Sequence, residues 1–369
     1  MKNIVVTGAA GFIGKNLCLR LSERPEFQVR PILSSSTPEE LELALSDADG
    51  VVHLAGVNRP VHADDFMTGN RNSIAAVTDI LSRTGRSPAI VLTSSTRAAD
   101  ATSYGESKRA GEQVLLDFAE RTGAPAIVLR LPNVFGKWAR PNYNSAVATF
   151  CHNIARDLPI TVNDPQAPLQ LIYVDDVVDQ ILALLTDPPS AAGFHEPASV
   201  YETTVGEVAD LIARFHAGRR SVMVETVGEG LVRALYATYV ATLPSEAFSY
   251  ELKSNVDDRG AFSEILKTVN SGQFSFLTAH PNVTRGGHYH HTKIEKFVVV
   301  QGDALFRFRH MLTGEFIEIR VSGDEPTVVE TIPGWTHDIT NVGSGLMISM
   351  LWANEIFSPA RPDTIAARI

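Results

Sequence analysis

The chain has little cysteine, no long apolar run and no clustered positive charge. Only Cys18 and Cys151 occur among its 369 residues, too few for a disulfide framework or a cysteine-built zinc site. No apolar stretch approaches the roughly 18–20 residues that cross a membrane. The first residues show no charged, apolar and small-residue leader, and a strand-like run, Asn3-Ile4-Val5-Val6, begins at once. The absence of a basic run argues against nucleic acid as a partner. A net charge of −10, from 32 basic and 42 acidic side chains, favours solubility. It leaves room for a phosphorylated ligand, because backbone amides bind phosphate even in an acidic protein. These absences together predict a cytoplasmic protein that uses neither membrane nor nucleic acid.

What is present is ordinary globular material, 44 % apolar and 20 % charged. At about 150 residues per domain, the length indicates two domains or three. The texture changes near residue 245. Before it, apolar runs alternate with helical patterns: strands at Ile4–Val6, Gln28–Leu33, Gly50–Ala55, Ile90–Ser95 and Ala126–Leu131, with helices over Phe12–Ser22, Pro38–Leu45, Ser73–Leu81 and Tyr104–Arg121. That alternation predicts an α/β, doubly wound parallel sheet. After about 250 come short β-rich runs separated by turns such as Gln301-Gly302-Asp303, which predict an all-β sandwich or barrel. The expected domains are 1–245 and 246–369, hinged at Leu243-Pro244-Ser245.

Three constellations carry chemistry. The first is Gly8, Gly11 and Gly14 at spacing three, with Phe12 and Ile13 opening the helix that follows the first strand. Glycines let the backbone approach a pyrophosphate, and the new helix aims its dipole at the negative charge. After the second strand, Arg30 and Ser34-Ser35-Ser36 occur with no carboxylate, which favours NADP with Arg30 on its 2′-phosphate. A solvated surface arginine is the competing reading. The second is Tyr104 and Lys108, four apart on one helix face, downstream of the hydroxyl cluster Ser94-Ser95-Thr96. An ammonium nearby lowers a phenol's pKa, so Tyr104 is expected to trade a proton with a carbonyl near neutral pH. The third is His288, His290, Glu295 and His337. Three imidazoles and a carboxylate suit a divalent transition metal, with zinc the default.

Taken in order, Gly8-x-x-Gly11-x-x-Gly14, His53-Leu54-Ala55-Gly56, Ser94-Ser95-Thr96, Tyr104-x-x-x-Lys108, Arg130-Leu131-Pro132-Asn133-Val134-Phe135-Gly136 and Tyr173-Val174-Asp175-Asp176-Val177 resemble the extended short-chain dehydrogenase/reductases that act on nucleotide sugars. The resemblance covers about residues 1–240. It implies Tyr104 as acid/base, Lys108 on the nicotinamide ribose, and Thr96 as the catalytic hydroxyl, with Ser95 and Ser94 open as alternatives. His288-x-His290-x4-Glu295-x6-Gly302 with Pro333-Gly334-x-x-His337-x3-Asn341 resembles the two halves of the cupin signature, implying a jelly-roll barrel. Asp258-Arg259-Gly260-Ala261-Phe262 and Arg285-Gly286-Gly287-His288 are similar to the nucleotide-sugar 3,5-epimerases, in which that histidine is the base. Since a ligand can hardly also be a free base, Lys296 or a carboxylate stands as the alternative base.

The joined architecture resembles the bifunctional epimerase/reductases of capsular-polysaccharide synthesis, the closer match lying in Gly136-Lys137-Trp138, Pro141-Asn142-Tyr143-Asn144-Ser145 and Asn255-Val256-Asp257-Asp258-Arg259-Gly260. It implies C3 epimerisation of a UDP-2-acetamido-2,6-dideoxy-4-keto-hexose in the cupin. NADPH-dependent reduction at C4 then gives UDP-N-acetyl-6-deoxy-L-talosamine for capsule or O-antigen synthesis. The expected sugar-nucleotide contacts are Asn133, Asn142, Tyr143, Asn144, Arg259 and Lys296, in a homo-oligomer, a dimer by preference. The competing expectations are a reductase with a structural cupin and an NADP-sensing protein without turnover. The Tyr104/Lys108 pair speaks against the latter.

Overall fold

A computed structural model describes all residues except Val61, Ala63, Asp64 and Arg361. The chain forms two compact units, Met1–Ile212 with Ala234–Leu243, and Ala213–Arg233 with Pro244–Ile369. It therefore passes between them three times, and the expected boundary at 245 lies beside the last passage. Cys18 and Cys151 are unpaired thiols. Among the described residues, no helix is long and apolar enough to cross a membrane.

In chain order, the elements begin with β1 (Lys2–Thr7), α1 (Phe12–Ser22), β2 (Phe27–Ile32), α2 (Pro38–Ser46), β3 (Gly50–His53), α3 (Ser73–Thr84), β4 (Ala89–Ser95), α4 (Ser103–Thr122) and β5 (Ala126–Leu131). They continue through β6 (Asn133–Phe135), α5 (Ala146–Ile154), β7 (Pro168–Tyr173), α6 (Val174–Thr186), β8 (Gly193–His195), β9 (Tyr201–Thr204), α7 (Val205–Ser221), β10 (Met223–Val224) and α8 (Gly230–Val240). From β1 to β5 these match the expected strands and helices to within a residue or three. The six-stranded sheet runs β2-β1-β3-β4-β5-β8 and every pairing is parallel. Strand order reverses beside β1, so the carboxyl ends of β1 and β3 form the crevice where such sheets bind ligands. The core beneath is apolar on both faces of the strands, with Val5, Val51, Ile90 and Val128 packed on Leu81, Leu115 and Phe118. This double burial explains the unbroken apolar runs.

The all-β part comprises β11 (Ser254–Asp257), β12 (Gly260–Thr268), β13 (Gln273–Ala279), β14 (Thr284–Tyr289), β15 (Glu295–Gln301), β16 (Asp303–His310) and β17 (Phe316–Ser322). The last four are β18 (Val328–Glu330), β19 (Trp335–Asn341), β20 (Met347–Ala353) and β21 (Ile365–Ala366). One sheet runs β10-β12-β13-β20-β15-β18 with β11 on β12, the other β17-β16-β19-β14-β21. Alternate residues of β13 and β20 are buried, as expected when one face of an antiparallel sheet packs on a core. That core is Leu277, Phe297, Phe306, Phe308, Ile339 and Leu351 with smaller neighbours.

Candidate active sites

The glycine loop leads the first site. Gly8 has φ +67°, and a Cβ there would stand 2.7 Å from the Ala55 nitrogen. A Cβ on Gly14 would stand 2.4 Å from the Gly8 carbonyl oxygen. Both positions admit only glycine, and α1 starts at Phe12 with no side-chain cap on its first amides. Uncapped amides beside a backbone without Cβ atoms fit a pyrophosphate. Behind the loop, the buried His53 ring bonds the Thr7 hydroxyl at 2.9 Å and the Ser73 hydroxyl at 3.1 Å. Burial first, and the Lys108 charge second, hold His53 down to about 3, so it is neutral.

Thr102 caps α4 by accepting from the Gly105 amide at 3.1 Å, which fixes Tyr104 in the first turn. The Tyr104 hydroxyl donates to Asn58 Oδ1 at 3.2 Å, and the Ser95 side chain is near enough to act on its pKa. Lys108 Nζ lies 5.9 Å from the Tyr104 ring centre and abuts Gly56, whose missing Cβ would sit 3.1 Å from it. The expected lowering of the phenol pKa does not occur. Burial raises Tyr104, and the Ser95 side chain and Arg97 charge only oppose that rise. Lys108 is itself lowered to about 8 by burial, against the charge of Glu112. The hydroxyl cluster splits three ways. Ser95 faces Tyr104, Thr96 is exposed at the start of a 3₁₀ turn, and Ser94 is buried against Glu112 Oε1 at 2.5 Å. Arg130 closes on Glu112 in a two-pronged pair at 2.9 and 2.6 Å.

Arg30 lies on β2. Its guanidinium pairs with Asp47 at 2.7 Å, beyond the carboxyl end of α2, because α2 runs back against the strands and delivers Asp47 to the amino-end edge of the sheet. Asn3 at the start of β1 bonds the same carboxylate at 3.0 Å. Tyr143 stands between Arg59 and Arg140, whose guanidinium carbons lie 5.5 and 4.9 Å from its ring centre. Asn142 adopts φ +53° and its amide donates to Thr149 Oγ1 at 3.0 Å. Asn144 is exposed in the same loop, and Asn133 bonds the Gln170 carbonyl at 3.3 Å. Asn58, Arg59 and Glu112 were not singled out by the sequence. Glu112 alone had a signal there, being one helical turn beyond Lys108.

In the second unit, ligand atoms of His288, His290, Glu295 and His337 all lie within 4.8 Å of one another. Glu295 Oε2 is 3.3 Å from His290 Nε2 and 3.4 Å from His337 Nε2. His290 Nδ1 is bonded to the Asp363 carbonyl and His337 Nδ1 to the Trp335 carbonyl at 3.3 Å. Carbonyls at Nδ1 leave the Nε2 atoms to face the cluster, the arrangement that prepares imidazole for a metal. His337 Nε2 is buried with no hydrogen-bond partner; at 3.4 Å, the Glu295 contact is proximity only. Three imidazoles, one carboxylate and an orphaned nitrogen fit a divalent ion. Burial would raise Glu295, but the His290 hydrogen bond, the adjacent His337 imidazole and the Lys293 charge hold it well below the usual carboxylate range. Burial, with His337 next, lowers His288 to about 4.

A cavity of about 260 Å³ opens beside the cluster, lined by His288, Glu295, His337, Arg259, Arg285 and Phe297 among others. Arg259 also pairs with Asp257 at 2.5 Å. Lys296 follows Glu295 on β15. It is exposed and paired with Glu330, because strand alternation turns it away when Glu295 points inward. The buried lysine is Lys293, 3.5 Å from Glu295 Oε1.

Fold and sites define a two-part protein: a Rossmann-type dinucleotide unit with a Tyr-x-x-x-Lys helix, followed by a cupin-type β unit with a His/Glu cluster. The chain belongs to the NAD dependent epimerase/dehydratase family, which it matches over residues 4–195, and it matches the polysaccharide biosynthesis C-terminal domain over residues 255–365. It is 49 % identical over 366 residues to the UDP-2-acetamido-2,6-beta-L-arabino-hexul-4-ose reductase of Pseudomonas aeruginosa, covering 99 % of this chain and 98 % of that one. Its structure is similar to the capsular polysaccharide assembling protein CapF of Staphylococcus aureus, with TM-score 0.92 and 45 % identity over 100 % of both chains. RMD of Pseudomonas aeruginosa, at 22 % identity and TM-score 0.52 over 59 % of this chain and 83 % of that one, shares the fold of the first part.

Proposed function

We propose that the chain is a bifunctional nucleotide-sugar enzyme. It epimerises C3 of a UDP-2-acetamido-2,6-dideoxy-4-keto-hexose in the cupin unit and reduces the C4 ketone in the first unit with NADPH. The product is UDP-N-acetyl-6-deoxy-L-talosamine. The observation that carries the reading is the Tyr104 phenol, bonded to Asn58 and flanked by Lys108 and Ser95 beyond the carboxyl ends of the parallel strands. The substrate class is supported by the near-full-length similarity to a UDP-sugar ketone reductase.

A reduced nicotinamide supplies the hydride when bound. The residues of the chain do the rest. Ser95 and Tyr104 hold the C4 oxygen, and Tyr104 gives it a proton as it becomes a hydroxyl. Lys108, an ammonium below about pH 8, stabilises the phenolate left behind. The glycine loop and α1 amides hold the pyrophosphate. The loop after β2 offers Ser34, Ser35 and Ser36 without a carboxylate, which supports NADPH although Arg30 is engaged elsewhere. Tyr143, with its neighbours Asn142 and Asn144, contributes to the sugar-nucleotide site.

In the cupin unit, the 4-keto group acidifies the C3 proton. His288, His290, Glu295 and His337 would hold a zinc ion, whose positive charge favours an anion in the cavity. Arg259 and Arg285 add positive charge along the same wall, suited to the diphosphate.

The test is product NMR in D2O with NADPH and the 4-keto sugar. Tyr104→Phe should abolish NADPH oxidation, by at least about 10²-fold, yet leave solvent deuterium entering C3. Loss of exchange along with reduction would sink the two-site reading.

A further inference from the structure

Residues 363–367 contact two members of the His/Glu cluster, His288 and His290, and reach the other two through their neighbours Lys293 and Thr336. β21 pairs antiparallel with β14 at the ligand strand itself, Ala366 opposite His288 and Ile365 opposite Tyr289. The Ala367 amide donates to the Gly287 carbonyl at 2.9 Å. The Asp363 carbonyl is bonded to His290 Nδ1. The Asp363 carboxylate accepts the amides of His291, Thr292 and Lys293 at 2.9, 2.7 and 2.8 Å. These are three of the four residues between His290 and Glu295. Thr336, the neighbour of His337, donates its hydroxyl to the Ala367 carbonyl at 3.0 Å. Lys293 Nζ, 3.5 Å from Glu295, donates to Thr364 Oγ1 at 3.2 Å.

We propose that segment 363–367 is a positioning clasp for the metal site, so that docking of the tail and binding of the metal favour each other. The proposal rests on reading His288, His290, Glu295 and His337 as metal ligands. β21 has two residues, both exposed, and a strand that short holds little by itself. Its contacts converge on residues that must be pre-set for a metal to bind. One contact is a carbonyl at His290 Nδ1, which fixes the ring's orientation and turns Nε2 to the site. Linkage then makes the effect reciprocal. The factor by which the docked tail strengthens metal binding is the factor by which metal strengthens tail docking.

Two measurements test it. Zinc affinity, by competition with a chromogenic chelator, is compared between the full chain and a variant ending at residue 362. Carboxypeptidase trimming of the unaltered full chain is timed with and without zinc. The expected result is about a 10–100-fold loss of zinc affinity on truncation, with a similar slowing of trimming by zinc when tail opening is in rapid equilibrium. NADPH binding to the first unit should not change. The trimming arm needs no variant, so it decides even if the truncated chain misfolds. Asp363→Ala, which removes the carboxylate but keeps the carbonyl, should lose part of the affinity. Equal zinc affinity without the tail, or equal trimming with and without zinc, would overturn the clasp and leave the metal site standing. A full chain that binds no zinc would overturn both.

Discussion

Glu112 is a buried carboxylate, 3 % exposed, that serves three partners. It takes both prongs of Arg130, accepts from Ser94, and lies one turn past Lys108 on α4. Its negative charge is what limits the fall in Lys108's pKa. In the proposed mechanism protonated Lys108 is the active form, so kcat/KM for NADPH oxidation should fall along an alkaline limb near pH 8 in the free enzyme. Glu112→Gln should move that limb to lower pH and cost about 1–2 kcal/mol of stability, since Arg130, a third exposed, loses charge-assisted hydrogen bonds but stays solvated. A limb that stays in place would refute the electrostatic role. The linkage sign is definite. The unfolded chain holds the Lys108 proton up to about 10.5 and the folded one to about 8. Stability contributed by this group therefore rises with pH between those values, while the full burial penalty applies below about 8. The Tyr104/Lys108 pair was legible in the sequence because helix spacing puts i and i+4 on one face. Glu112 follows the same spacing, but helical carboxylates usually face water. Only the register of β4 on β5, which sets Ser94 opposite Arg130, shows why this one does not.

At the level of elements, the turn from β1 into α1 and the alternation along β15 decide the most. Adding one methyl at Gly14 drives it toward the Gly8 carbonyl. Gly14→Ala should weaken NADPH binding at least about tenfold and lower stability by about 1–3 kcal/mol, read by fluorescence titration and thermal melting. Wild-type affinity in that variant would mean the loop does not carry the pyrophosphate. On β15, Glu295→Gln should strip the metal, whereas Lys296→Ala should leave metal affinity unchanged within about twofold and shift stability by at most about 0.5 kcal/mol. Chelator titration distinguishes the two. The period of two already contained that contrast, for if Glu295 is a ligand its neighbour must point away. The βαβ half was legible because buried strands are unbroken apolar runs with helices between them. β14 and β19 were harder to see. Their sequences, TRGGHY and WTHDITN, spend strand positions on ligands and glycines rather than on the alternating apolar residues that announce a strand. The pairing of Arg30 was not legible because sequence proximity to the strand end does not reveal which partner its side chain meets. Asp47 decides that, seventeen residues away.

The whole molecule holds two candidate sites in units with separate cores. Removing metal with a chelator should lower the melting temperature of the cupin transition and leave NADPH affinity within about twofold. Calorimetry with a parallel cofactor titration checks this, and a joint loss of both would show that the units do not respond independently. The connection between them is not a single linker. Residues 213–233 leave the first unit for the second, then Ala234–Leu243 return to complete the first before Pro244 departs again. Met223 and Val224 supply an edge strand beside Lys267 and Thr268. During synthesis, the first unit cannot finish folding until after a piece of the second has left the ribosome. Nor does one cut in the gene release two whole parts: a fragment beginning at 246 loses β10, and one ending at 245 carries a stranded segment. The two sites are thus inherited and expressed as one object, and swapping either half between relatives requires exchanging the threaded segment as well.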